Sequence, residues 1–324
     1  MNLPASPFHD TPLATFARRL RSGEASALGA TRNLLRRIET LDAKLHAYTF
    51  VDAERALARA AALDQLLTAG VDLGPLMGVP IAVKDLFSVD GMPTTAGSDV
   101  DISDLVPPQG RFVDQLQRAG CVILGKTATT EFALGGFNLR RPPPWNPCDL
   151  GVPRMTGGSS HGSAVAMAAG LCAFSFGSDT GGSVRWPAAL CGVVGYKSTT
   201  DHWPQDGIFP LSRAMDSIGV FTSCVADLRV VHAALAGVSV AEAPLPSQLV
   251  LALPGAHFFQ NIEPEVEACF TRAVELLRDA GVAIREVALP EAAEIEEVFG
   301  RLVTAEWLAF VGRDRFLANE SIID

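Results

Sequence analysis

The stretch Gly177–Arg185, GSDTGGSVR, carries residue types that could attack a carbonyl group. In Thr180-Gly181-Gly182-Ser183 the glycines permit a backbone that turns successive N–H groups into one concavity, with no side chain in the way. A serine hydroxyl at the end of such a nest can attack a carbonyl whose oxygen the N–H groups of Thr180, Gly181, Gly182 and Ser183 then hold. One such donor contributes ~2.7–4 kcal/mol of transition-state stabilisation. Cradling a phosphate is the competing use of such a loop. The Lys-Ser/Thr close of a Walker motif is missing, however, and GGSSHG at Gly157–Gly162 is not G-x-G-x-x-G.

A serine nucleophile needs a base. The spacing of the six histidines, His9, His46, His161, His202, His232 and His257, places none of them beside Ser183. Lys84 is the other candidate. It lies inside Gly78–Phe87, GVPIAVKDLF, an apolar, β-branched run bounded by Gly and Pro that reads as a buried strand. The chain has four lysines against 22 arginines, so lysine is not its generic surface charge. Burial lowers a lysine from ~10.4 by as much as ~3–5 units, into the range of a working base. Snorkelling to the surface, or pairing with Asp85, is the purely structural alternative. A second serine cluster, GGSSHGS, contains G-x-S-x-G and would make Ser160 the nucleophile of an α/β-hydrolase. That elbow needs a buried strand directly before it, and Gly151–Thr156, GVPRMT, is a poor one.

The elements that must position these groups can be read from periodicity. The small apolar run Ala164–Phe176 between the two serine clusters is long enough for a buried helix and a buried strand. Before it, Thr11–Arg21, Ser26–Leu41 and Ala53–Ala69 have helical spacing, with Thr11 and Ser26 as caps, and form a helical layer over residues 1–70. From residue 71 the pattern becomes β-α-β: a helix at Arg111–Ala119, a strand at Val122–Leu124, then a loop leading into a short helix over Lys126–Gly136. Asn138–Pro153 reads as irregular loop. Beyond the central unit come a helical turn at Arg185–Leu190 and a strand at Gly192–Lys197. Helices follow at Val225–Ala236, Pro264–Ala280 and Glu291–Phe310, with strands near Leu249–Leu253 and Val282–Val287.

In order, GVPIAVKDLF, GMPTTAGS, the Asn146-Pro147 pair, GGSSHGSAVAMAAG and GSDTGGSVRWPAALCGVVGYK resemble the blocks of the amidase signature family. The resemblance runs from about Thr11 onward. It implies an α/β fold in which a mixed central sheet carries helices on both faces, as one domain overall with its core over 71–324. It also implies hydrolysis of a carboxylic amide, with Ser183 as acyl-forming nucleophile, Ser159 as a bridging serine on a cis peptide bond, and Lys84 completing the set. The backbone N–H groups of Thr180–Ser183 match the oxyanion hole. Asp179, Arg185, Gly158 and Ser160 are supporting residues. A small-molecule amide is the implied substrate, with no metal and no organic cofactor. The glutaminase subunit of a tRNA-dependent amidotransferase is an alternative with similar motifs.

His161 departs from the glycine usual in the family and is expected to be structural, facing outward. The close at Ser321–Asp324 reads as cut, so the fold is expected to be incomplete at its C-terminus, and an inactive truncated remnant is a further alternative. A homodimer is allowed, although oligomeric state leaves no sequence signal. Charge and composition exclude other classes. A net charge of −10 without basic runs argues against direct nucleic-acid binding. Six dispersed cysteines lack zinc spacing, and no run suits a signal peptide or a membrane span, so a cytoplasmic setting is expected.

Overall fold

A computed structural model describes Phe8 and residues 11–323; His9 and Asp324, both considered above, lie outside the described residues. One compact unit runs up to Ser239 and takes in the chain again from Ala305, and Val240–Thr304 forms the other.

The first unit is built on a six-stranded mixed sheet. Its strands are β1 (Tyr48–Val51), β2 (Pro80–Lys84), β3 (Val122–Thr127), β4 (Phe174–Asp179), β5 (Val194–Lys197) and β6 (Ser217–Thr222), in the order β1-β3-β2-β4-β6-β5. β2 runs parallel to both β3 and β4, and these three are buried at every residue. Strands covered on both faces read as continuous apolar runs, which is why PIAVK and the FSF of β4 stand out. β1 and β6 are antiparallel to β3 and β4 respectively, and β5 is antiparallel to β6.

Helices α1 (Leu13–Arg21), α2 (Ala27–Leu45) and α3 (Ala53–Thr68) form where helical spacing predicts them, with β1 inserted between the last two. Thr11 is not the cap of α1. Pro12 occupies that position, and the free Leu13 N–H donates instead to Asp227 Oδ1 at 2.9 Å, a partner 214 residues away. Ser26 does cap α2, accepting from Gly29 N–H at 3.0 Å. Around α4 (Arg111–Arg118), the Phe112 ring meets Phe176 edge-on at 5.0 Å and tilts against Trp203 at 5.4 Å, filling the space beside β4.

The helix between the two serine clusters, α5 (His161–Ala168), is buried over its first seven residues, as expected of a segment apolar all round. Its small side chains let it lie against the sheet. A Cβ on Gly162 would sit 2.4 Å from Ala128 N and 2.5 Å from Ala47 O, so only glycine fits there. Past β4 come α6 (Arg185–Cys191) and α7 (Val225–Ala236). In the second unit, β7 (Val250–Pro254) and β8 (Ala283–Val287) pair in parallel and are joined through α8 (Pro264–Asp279), a βαβ crossover. The chain ends in α9 (Ile295–Val311) and α10 (Arg313–Asn319). Among the described residues, no helix is long and apolar enough to cross a membrane.

Because the Gly162 site cannot yield without moving backbone, Gly162→Ala should lower the unfolding free energy by ~1–3 kcal/mol, the range typical of overpacking. Urea denaturation of the two proteins measures the difference.

Candidate active site

The parallel strands β2, β3 and β4 end on the same edge of the sheet, and the chemistry gathers there, as it does in open α/β sheets generally. Lys84, the last residue of β2, is completely buried. Its Nζ donates to Ser159 Oγ at 2.7 Å and to Ser178 Oγ at 2.9 Å. Burial pulls its pKa from 10.5 to about 7, against the opposing pull of Asp216 and then Asp179. The amine is therefore neutral in a large fraction of molecules near pH 7.

Asp85 is not the partner of Lys84. Neighbouring residues of an extended chain point to opposite faces, and Asp85 meets Lys126 of β3 at 2.8 Å. Lys126 also donates to Pro93 O at 2.9 Å and Thr94 Oγ1 at 3.0 Å, and Asp85 accepts from Thr95 Oγ1 at 2.6 Å. This buried ion pair thereby holds the turn Gly91–Ser98 against the sheet.

The first serine loop leads into α5. The Gly158–Ser159 peptide is cis. Gly158 lies against the backbone of Gly136, where a Cβ would come within 3.0 Å of the carbonyl oxygen. Ser160, the serine of the G-x-S-x-G match, is wholly internal: its Oγ donates to Ser178 O at 3.1 Å and accepts Ser178 N–H at 3.3 Å. Its hydroxyl ties α5 to β4 rather than facing a substrate. His161 does not point outward as expected. It is 2% exposed, because α5 is buried all round at this end and has no solvent face to offer. Burial, and then the nearby Lys84 amine, push its pKa down to about 3 against a hydrogen bond with the Thr129 backbone, so the imidazole is neutral at working pH.

The second serine loop leaves the end of β4. Asp179 is its hub. Its carboxylate accepts from Gly182 N–H at 2.8 Å, Val184 N–H at 3.1 Å and Arg185 N–H at 3.3 Å, and the Arg185 guanidinium grips both oxygens at 2.9 and 3.0 Å. Burial raises this carboxyl, but Arg185 and the backbone donors outweigh it and hold the pKa below the usual value. Gly182 takes φ +119°, a conformation that L side chains rarely adopt. Of the four N–H groups expected to face an oxyanion, that of Gly182 is thus committed to Asp179. Among the described residues, those of Thr180, Gly181 and Ser183 make no hydrogen bond.

The two loops meet where Ser160 N–H donates to Ser183 O at 3.2 Å. The structure therefore joins Lys84 to Ser159 through side chains, and Ser183 to this group through backbone. The Ser183 hydroxyl itself makes no hydrogen bond among the described residues. Sequence alone does not single out Ser178, Lys126 or Asp216. Ser178 lies two residues before the TGGS motif, and its place in a buried strand is the signal that could have found it. Asp216 carries no local signal.

Three comparisons bear on this arrangement. The family model Amidase matches residues 29–320. A 2-amino-5-chloromuconic acid deaminase of Comamonas testosteroni is 39% identical over 92% of this chain and 66% of its own length. The A-type subunit of the glutamyl-tRNA(Gln) amidotransferase from Acidothermus cellulolyticus is 41% identical over 82% of this chain and 56% of its own. The chain thus spans less than two thirds of these relatives. A crystal structure of an amidase superposes with a TM-score of 0.89 at 36% identity, covering 97% of this chain and 71% of that one.

Replacing Lys126 by Met leaves the Asp85 carboxylate buried without its cation. Lys126→Met should therefore destabilise the fold by about 3–5 kcal/mol, the usual cost of breaking a buried pair from one side. Guanidinium unfolding provides the check.

Proposed function

The chain belongs to the amidase signature family, and we propose that it cleaves a carboxylic amide through an acyl-enzyme on Ser183. The observation that carries the proposal is the 2.7 Å contact between the buried Lys84 amine and Ser159 Oγ, beside a loop in which the N–H groups of Thr180, Gly181 and Ser183 make no hydrogen bond among the described residues.

Neutral Lys84 takes a proton from Ser159 as Ser159 takes one from Ser183. The Ser183 Oγ–carbon bond forms, and the carbonyl oxygen becomes an oxyanion facing the N–H groups of Thr180, Gly181 and Ser183. When that intermediate collapses, the carbon–nitrogen bond breaks, and the proton returns through Ser159 to the departing nitrogen. Ammonia or an amine leaves. Water then adds to the acyl ester with the same groups as base, a carboxylic acid departs, and Ser183 is restored. The proposal draws on no metal or organic cofactor. Asp179 and Arg185 support it by shaping the loop rather than by exchanging protons.

A second reading is favoured by the 41% identity to the A-type subunit of an amidotransferase. In that reading the same chemistry releases ammonia from glutamine for use by partner subunits. Ammonia release specific to glutamine and increased by such subunits distinguishes it from hydrolysis of a free small-molecule amide.

Intact-mass labelling with a serine-directed fluorophosphonate tests the core of the proposal. Wild type should take one adduct, and Ser183→Ala none. The labelling rate should fall about tenfold per pH unit below pH ~7, because protonated Lys84 cannot accept a proton, and level off above it. Lys84→Met should label at least a hundredfold more slowly, in line with the ~10²–10⁴ contributed by a general base. Undiminished labelling of Ser183→Ala would falsify the assignment.

A further inference from the structure

Lys84 is buried without an ion-pair partner among the described residues, so the carboxylates around it set how readily it gives up its proton. Three buried aspartates lie in this region, and two have a cation in contact: Asp85 has Lys126 and Asp179 has Arg185. Asp216, in the segment leading into β6, has none among the described residues. Its partners are neutral. Oδ2 accepts from Leu211 N–H at 2.9 Å and Ser212 N–H at 3.1 Å, and Oδ1 accepts from Thr180 Oγ1 at 2.5 Å. Thr180 is the first residue of the nucleophile loop, 36 positions earlier in the chain.

We propose that Asp216 is a positioning residue of this site, anchoring the Thr180 end of the nucleophile loop through its hydroxyl while presenting an unpaired negative charge to Lys84. The inference rests on the function proposed above and adds a residue that acts through Thr180 and Lys84 rather than on the substrate.

The surroundings fit this role. Asp216 and Ser178, the serine whose hydroxyl accepts from Lys84, line the same small cavity of about 110 Å³. The segment is braced from outside by Glu306 of α9, which accepts from Ser212 Oγ at 2.6 Å and Ala214 N–H at 3.2 Å. Other charged groups approach from each neighbouring element. Arg213 lines the cavity but lays its guanidinium over the Phe310 ring, 5.3 Å from the centroid, and Asp201 also lines the cavity. Lys197 of β5 donates to Ser198 O at 2.6 Å and Ser217 Oγ at 3.3 Å. Among the described residues, Asp179 on β4 and the neutral His161 on α5 are the other titratable groups that interact with Lys84. Asp216 is the foremost of the charges opposing the loss of the Lys84 proton, ahead of Asp179. Burial raises its own carboxyl, against Thr180, the two backbone donors and Lys84.

Two substitutions separate the two halves of the role. Asp216→Asn keeps an oxygen for the backbone donors and a polar group for Thr180 but removes the charge. With that charge gone, protonated Lys84 is less favoured, and the acid limb of the fluorophosphonate labelling rate should move to lower pH by roughly one unit. Thr180→Val keeps the charge and the shape but cuts the anchor. It should slow labelling about tenfold or more without moving the limb, and Thr180→Ser should restore the rate. The inference is overturned if wild type labels at Ser183 with its limb near pH 7 while Asp216→Asn shows the same limb, or if Thr180→Val labels at the wild-type rate. Circular dichroism melts check that Asp216→Asn is folded; if it is not, the Thr180→Val and Thr180→Ser pair decides. Wild type that takes no adduct overturns the proposed function, and this inference falls with it.

Discussion

An amine at the end of a central strand, shut away from water and with no carboxylate in contact among the described residues, is an unfavourable place for a charge. That constraint organises the site. β2 lies between β3 and β4, Lys84 is completely buried, and the amine meets two serine hydroxyls from separate segments. A neutral amine is satisfied by hydroxyl partners, whereas an ammonium is satisfied by a carboxylate. Lys126, equally buried one strand away, shows the opposite solution: Asp85 keeps it as an ion pair and makes it structural. The same side chain thus meets two different environments, and the difference lies in which partner the sheet delivers.

Delivering Ser159 and Ser183 to one place requires two loops to approach closely at the ends of a short helix and a buried strand. α5 runs back along β4, so the loop before the helix and the loop after the strand share an edge. Their closeness depends on missing side chains. Gly177 makes room for Ser160, where a Cβ would lie 2.6 Å from its hydroxyl oxygen, and Gly162 makes room for the Ala128 backbone. The buried Asp179 then fixes the second loop by taking the N–H groups of Gly182, Val184 and Arg185.

Much of this is legible in the residues. The long helices α2, α3, α7 and α8 show in the helical spacing of their apolar residues, β2 in an apolar run up to Lys84, and the start of β4 in the small apolar run that ends at Phe176. Two strands are not legible. β1 is four residues long with no clean alternation, and it exists because β3 offers an edge. β6, although buried throughout, has glycine at its centre and no turn signal setting it off, and its place is decided by pairing with β4 and β5. The cap of α1 escapes a local reading for a similar reason, since Asp227 reaches it from another helix.

Local composition is enough to fix the kinds of chemistry available: a serine at the end of a glycine nest, a second serine cluster, and a lysine in an apolar strand. Glycine conformation and apolar burial act over a few residues, so these features are written into short stretches of chain. The partnerships are not. Only the folded chain gives Asp85 to Lys126 rather than to Lys84, turns His161 inward, and brings Asp216 to Thr180. Each of these depends on strand order, which sets β2 beside β3 and β4 beside β6. Strand order is a property of the whole folded unit, because long-range pairing and burial select it jointly.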